Sequence, residues 1–230
     1  MSDATASDLL ARRRAAIASA RLYFVCEARP EGRDPRPLLD AALRGGAGLI
    51  QLREKRLADT DLIAAARPFR EAASAHGGLF FLNDRPDLVE ACEADGVHVG
   101  QEDLPVAEAR SLAGPDAVVG LSTHSAAELD RACASTGAGR PDQVSVGPVW
   151  TTPTKEGRRA TGLGLVEHAA RSATIPWFAI GGIDRSNVAE VAAAGAERIV
   201  VVRAIRDADD PEAAASELRS RLRAARAAES

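Results

Sequence analysis

Several side-chain clusters in this chain are of the kinds that hold phosphate and stabilise negative charge. In Gln51-Leu52-Arg53-Glu54-Lys55, residues 51, 53 and 55 alternate, so an extended chain turns all of them to one face. An amide beside a guanidinium and an ammonium suits phosphate, through charge-assisted hydrogen bonds. A solvated, charged strand end is the plain alternative. Asp84 and Asp103 each follow an apolar run, and neighbouring strands would set them on one rim. Two facing carboxylates must share a proton or a cation, and Mg2+ commonly takes one or two carboxylates together with substrate phosphate. Helix N-capping competes for both, because Asp84 precedes Arg85-Pro86 and Asp103 precedes Leu104-Pro105.

Thr151-Thr152-Pro153-Thr154-Lys155 gathers hydroxyls, backbone N–H groups and an ammonium on one loop, where an ordinary polar turn is the alternative. Gly181-Gly182 lets backbone approach a ligand closely. With the end of the last apolar run and the helix start after it, this matches the general phosphate site of barrel enzymes. His124 is a pocket candidate beside Ser122. His98 lies inside an apolar run and reads as a packed histidine rather than a catalyst, and His76 and His168 read as surface residues. No Ser-His-Asp arrangement or His-rich metal site is apparent.

Short apolar runs begin near Leu22, Leu49, Leu79, Gly96, Ala117, Gln143, Pro176 and Arg198, separated by Ala-, Leu-, Glu- and Arg-rich stretches of helical spacing. Strand alternating with helix demands a parallel sheet, because each crossover helix must cover a sheet face. Eight such units close into a single (β/α)8 TIM barrel of the α/β class, with its reactive groups on the loops after the strands. The fifth and eighth strands are expected over 117–121 and 198–202, Asp59 or Thr60 is expected to cap the helix after the second strand, and helices are expected to open at Pro86 and at Pro105. Ser125 and Glu128 form a candidate capping box. The longest loop runs from Gly147 to Gly164, and long loops in compact domains are usually functional or disordered. Residues 1–20 read as an extension, either a basic helix closing the barrel's bottom or a partly disordered tail, and residues 21–230 as the barrel domain.

At 230 residues, with 46% hydrophobic but only 3% aromatic content, one large core is expected to be built from Val, Ile, Leu and Ala. A net charge of −4 gives no electrostatic case for nucleic acid or membrane binding. No apolar run reaches the ~18 residues of a membrane span. Met1 to Ala20 carries Arg12-Arg13-Arg14 without the apolar core of a secretory signal, so a cytoplasmic location is expected. Cys26, Cys92 and Cys133 are odd in number and stand at no metal-ligand spacing, which reads as buried thiols in a reducing compartment.

Taken in order, these stretches resemble the thiamine-phosphate synthase family. The motifs are Gln51-Leu52-Arg53-Glu54-Lys55, Leu82-Asn83-Asp84-Arg85, and Gly96-Val97-His98-Val99-Gly100-Gln101-Glu102-Asp103-Leu104-Pro105. After them come Gly120-Leu121-Ser122-Thr123-His124, Gly147-Pro148-Val149-Trp150-Thr151-Thr152-Pro153-Thr154-Lys155 and Ala179-Ile180-Gly181-Gly182-Ile183, so the resemblance spans Leu22 to about Ile205. It implies a transferase of thiamine biosynthesis that joins hydroxymethylpyrimidine diphosphate to thiazole phosphate. By this resemblance pyrophosphate leaves first, and the thiazole nitrogen captures a pyrimidine-stabilised carbocation. Carried over motif by motif, Gln51, Arg53, Lys55, Asn83, Ser122 and Lys155 contact the pyrimidine diphosphate, with Lys155, Arg53 and Ser122 as the catalytic candidates. Asp84 and Asp103 hold Mg2+, the implied cofactor. Thr152 and Thr154 contact the thiazole phosphate, and Gly182, Val202 and Arg203 complete its cradle.

The family commonly has Ser before Ala-Ile at the end of strand eight, where this chain has Arg203. A guanidinium clamp on phosphate and an ion pair with Asp207 or Glu197 are the two readings of that departure. No nucleic acid or membrane partner is implied, and a homo-oligomer is left open. A related thiazole tautomerase is the first rival, but such proteins tend to lack the metal-binding aspartates and to carry His where this chain has Pro148. A catalytically idle barrel that senses a phosphorylated ligand is the second, and the intact charges at every rim position argue against it.

Overall fold

Consecutive apolar runs pair as parallel strands until the last meets the first, in a computed structural model that describes residues 3–152 and 159–227. The strands are β1 (Leu22–Cys26), β2 (Leu49–Leu52), β3 (Leu79–Asn83), β4 (Gly96–Val99), β5 (Val118–Thr123), β6 (Gln143–Val146), β7 (Trp177–Ile180) and β8 (Ile199–Val201), closed in that order. Around them run α1 (Asp3–Ser19), α2 (Arg36–Arg44), α3 (Asp59–His76), α4 (Val106–Ala113), α5 (Ala126–Ala134), α6 (Leu163–Ser172), α7 (Val188–Ala193), α8 (Arg203–Arg206) and α9 (Pro211–Ala227). This is a (β/α)8 TIM barrel. Both faces of every strand are covered, so the strands read as near-continuous apolar runs. The outer faces pack with Leu39, Ala66, Phe69, Ala109, Leu129, Val166, Val191 and Leu218 of the helices.

Alternate strand residues face inward and sort by height. Tyr23, Leu49, Phe81, Val118, Phe178 and Val200 form one apolar cluster. Later along the strands, Gln51, His98, Ser122, Gln143 and Ser145 form a buried polar tier nearer the mouth. The core is largely Val, Ile, Leu and Ala as expected, with an aromatic group added inside the barrel. Tyr23 lies 5.6 Å from Phe81 and 5.6 Å from Phe178, ring centre to ring centre, so three of the eight aromatics meet inside the barrel. Gly96 makes the room: a Cβ there would lie 2.2 Å from Val118 O and 3.1 Å from the Phe81 ring.

The extension resolves into a helix beneath the barrel. Ile17 of α1 is fully buried in the same cluster as Tyr23 and Phe178. Arg13 pairs with Asp95 at 2.8 Å, and Arg14 with Asp142 at 2.7 Å. Asp95 in turn accepts from Phe80 N at 2.9 Å and pairs with Arg70 at 2.8 Å, which ties α1 and α3 to the sheet.

Local expectations differ in four places. Pro86 opens a single 3-10 turn, Pro86–Leu88, because the 12-residue span between Asn83 and Gly96 is barely long enough for a crossover with a helix in it. α3 begins at Asp59 behind Ala58, with no side-chain cap. Ser125 does accept from Glu128 N at 3.3 Å, but Glu128 reaches back to His124 N at 2.7 Å, one residue beyond the usual box. β5 extends through Ser122 and Thr123, whereas β8 stops at Val201 and leaves Arg203 to begin α8. Cys26 and Cys92 are buried and Cys133 half-buried, all as free thiols. Among the described residues, no helix is long and apolar enough to cross a membrane.

Candidate active site

At the C-terminal end of the barrel lies a cavity of about 300 Å3, at the small end of the range for small-molecule sites. Its wall includes Gln51, Arg53, Asn83, Ser122, Thr152, Gly182, Val202 and Arg203. Strand register brings these distant positions together: Asn83 stands beside His98, and Ser122 beside Ser145.

One side of the wall is a directed hydrogen-bond chain. Tyr23 is fully buried and burial pushes its phenol up, so it remains a neutral donor, to Gln51 Oε1 at 2.6 Å. With its oxygen taken, Gln51 turns its amide nitrogen to Asn83 Oδ1 at 2.9 Å. Asn83 is thereby left with its own nitrogen to give, and it donates to Asp84 Oδ2. Neither amide can flip without stranding a buried donor or acceptor. The carboxylate at the rim is thus aimed by a phenol two strands away.

Asp84 leaves β3 with a left-handed backbone, φ 60°, while its N–H donates to His98 O at 3.0 Å. This conformation turns its side chain toward Asp103, with which it is in hydrogen-bond contact. Burial and then the charge of Asp103 push the Asp84 carboxyl up to about 6, while Asn83 and Lys55 pull it down. Asp103 Oδ2 accepts from Gly100 N at 2.7 Å, which fixes the other half of the pair. Neither residue caps a helix: α4 starts behind Pro105, and the Pro86 turn has no side-chain cap. Arg85 faces away, paired with Asp59 at 2.8 Å and Asp87 at 2.6 Å. The two carboxylates are hard oxygen donors short of one positive charge, which fits Mg2+ with its remaining positions on water and phosphate. Among the described residues no third acidic, imidazole or thiol group joins them.

The expectation that Gln51, Arg53 and Lys55 share a face holds in part. Gln51 and Arg53 line the cavity, whereas Lys55 is exposed at the rim, where its charge acts on Asp84. Across the mouth, Gly181 and Gly182 have φ of 104° and 68°. A Cβ would lie 2.5 Å from Pro148 Cα at the first and 2.8 Å from Trp150 Cβ at the second. These glycines therefore also admit the loop after β6, which hydrogen-bonds to them through Trp150 N and Gly181 O at 3.0 Å. Arg203 is exposed on the cavity wall. The acids expected to pair with it are engaged elsewhere: Asp207 with Arg206 at 2.6 Å, and Glu197 with Arg21 at 3.3 Å. Thr154 and Lys155 lie outside the described residues.

Several wall residues escaped the sequence reading. His98, assigned to packing, reaches the cavity with 7% exposure, and Tyr23 and Ser145 line it as well. Gln101 Nε2 holds Ser122 O at 2.7 Å. The available signal was alternation: Gln143 and Ser145 stand two apart on β6, as Gln51 and Arg53 do at β2.

A family model described as thiamine monophosphate synthase matches residues 22–205. The chain belongs to that family. It is 48% identical to the thiamine-phosphate synthase of Arthrobacter sp. over 90% of this chain and 96% of the relative. With the thiamine-phosphate synthase of Thermobifida fusca it shares 50% identity over 92% and 96% of the two chains. Among solved structures, the thiamine phosphate pyrophosphorylase of Pyrococcus furiosus superposes with a TM-score of 0.78 at 31% identity, covering 91% of this chain and 98% of its own.

Proposed function

We propose that this chain condenses hydroxymethylpyrimidine diphosphate with thiazole phosphate, giving thiamine phosphate and pyrophosphate. The observation that carries the reading is the shared rim: Asp84 facing Asp103, one hydrogen bond from the wall residue Asn83, with Arg53 in the same wall. The bond between the pyrimidine methylene carbon and the diphosphate oxygen breaks, and its electron pair leaves with pyrophosphate. The thiazole nitrogen lone pair then forms the new carbon–nitrogen bond. No protein group has to take or give a proton.

Arg53, Lys55 and Lys155 serve the diphosphate, because fixed cations stabilise the charge that develops on the leaving group. Gln51, Asn83 and Ser122 contact the same pyrimidine diphosphate. Thr152 and Thr154, with Gly182, Val202 and Arg203, hold the thiazole phosphate. Asp84 and Asp103 would hold Mg2+, which when bound would neutralise diphosphate charge. The free thiols fit a reducing, cytoplasmic setting.

The test is pyrophosphate release, measured with both substrates, with each omitted, and in excess chelator. Release should need both substrates and fall away on chelation. Release at the full rate without thiazole phosphate would mark a hydrolase, and full activity in chelator would remove Mg2+ from the reading.

A further inference from the structure

Behind Ser122 lies a buried cluster whose hydrogen bonds run in one direction. His98 Nδ1 is 3.0 Å from Gln143 Nε2, and His98 Nε2 is 3.0 Å from Ser122 Oγ and 3.3 Å from Ser145 Oγ. Ser145 Oγ also donates to Ser122 Oγ at 3.4 Å. All four side chains are at least nine-tenths buried. The cluster depends on Gly120, where a Cβ would lie 2.2 Å from Gln143 Nε2 and 2.4 Å from His98 Nδ1.

An amide nitrogen can only donate, so His98 Nδ1 must offer a lone pair to it. A neutral imidazole then carries its proton on Nε2 and donates to Ser122. Gln143 Oε1 is buried without a partner among the described residues. The reversed amide would instead bury an unpaired NH2, and orphaned N–H groups are rarer in proteins than under-satisfied carbonyls. A hydroxyl has two lone pairs and one hydrogen. With His98 and Ser145 occupying both lone pairs, Ser122 has only its hydrogen left, on a side chain that lines the cavity.

We propose that Gln143 and His98 are positioning residues that commit Ser122 to donate, so that it meets an acceptor atom of the pyrimidine diphosphate and never the pyrimidine's amino group. The inference about the ligand rests on the proposed condensation. The proton's place on His98 does not.

Long-range proton–nitrogen correlation NMR on the whole free protein tests that place directly. A protonated Nε2 with a bare Nδ1 is expected, and a proton on Nδ1, or on both nitrogens, overturns the proposal. For turnover, His98→Gln keeps an N–H reaching toward Ser122 and His98→Leu does not. The Leu variant should lose about tenfold or more in kcat, with a smaller change in KM, and the Gln variant should recover most of it. Equal loss in both, or loss in neither, overturns the donor role. Ser122→Ala should weaken inorganic pyrophosphate if the acceptor is a phosphate oxygen, or the hydroxymethylpyrimidine alcohol if it is a ring nitrogen. Weakening of neither refutes the donor assignment. Wild-type protein that shows the Nε2 proton but releases no pyrophosphate overturns the condensation alone. Active protein with the proton on Nδ1 overturns this proposal alone.

Discussion

Replacing Asp84 by Asn should stabilise the metal-free protein while removing its activity. The carboxyl is half-buried against Asp103, and its pKa rises from 3.8 to about 6. That rise corresponds to at most about 3 kcal/mol between charged and neutral forms. Solvent around the exposed Asp103 screens the repulsion, leaving about 1–2 kcal/mol. Asn suits the experiment better than Ala. It tolerates the left-handed backbone at φ 60°, and its carbonyl can still accept from Asn83.

The cost depends on pH with a definite sign. Above about pH 6 the group is charged in both the folded and unfolded protein, and the folded state carries the whole penalty. As pH falls from about 6 toward 3.8 the folded state binds a proton that the unfolded state does not, so the penalty fades. Thermal unfolding in chelator should therefore place the Asn variant about 3–6 °C above wild type at pH 7.5 for a chain of this size. Near pH 4 the two should nearly coincide. Added Mg2+ should raise the wild-type midpoint and leave the variant's unmoved. A variant less stable than wild type at pH 7.5, or a gain of the same size at both pH values, would refute the repulsion.

Other consequences can be measured separately. Arg203→Ser should weaken thiazole phosphate by about ten- to a hundredfold, the loss of a charged hydrogen bond. Pyrimidine diphosphate affinity should change little, and titration of each ligand separates the two. Ile17→Ala empties a fully buried position under the barrel and should cost about 2–4 kcal/mol, lowering the midpoint by about 6–12 °C. Turnover at 25 °C should be nearly unchanged; a variant that unfolds like wild type would show that α1 does not seal the barrel. Tyr23→Phe strands Gln51 Oε1 and should cost about 1–3 kcal/mol of stability. It should also raise KM for pyrimidine diphosphate, because the amide chain no longer has a fixed direction. Kinetics indistinguishable from wild type would show that the chain's direction is set elsewhere.

Much of the fold was legible because parallel strands covered on both faces leave long apolar runs, a local signal. The runs that begin at Leu22, Leu49, Leu79, Gly96 and Gln143 start where β1, β2, β3, β4 and β6 start. The segment after β3 was misread because Pro86 is a local helix signal, while the short span to Gly96 leaves little room for one. Asp84 and Asp103 were found by their places after successive runs. Their rivalry with helix capping was not settled there, since a cap and a rim carboxylate occupy the same position in sequence.

The sequence by itself determined the order of strands and helices, the barrel, and several of the polar residues at its mouth, because alternation and chain order are properties of neighbouring residues. Tertiary structure alone decided what those residues are to one another. The facing of Asp84 and Asp103, the one-way chain from Tyr23 to Asp84, and the histidine whose proton faces Ser122 all depend on register between strands far apart in sequence. A one-residue slip would turn each of these side chains to the other face of the sheet. Hydrogen-bond direction and raised acidity arise only after that register is set, because burial and the partner across the strand are what impose them.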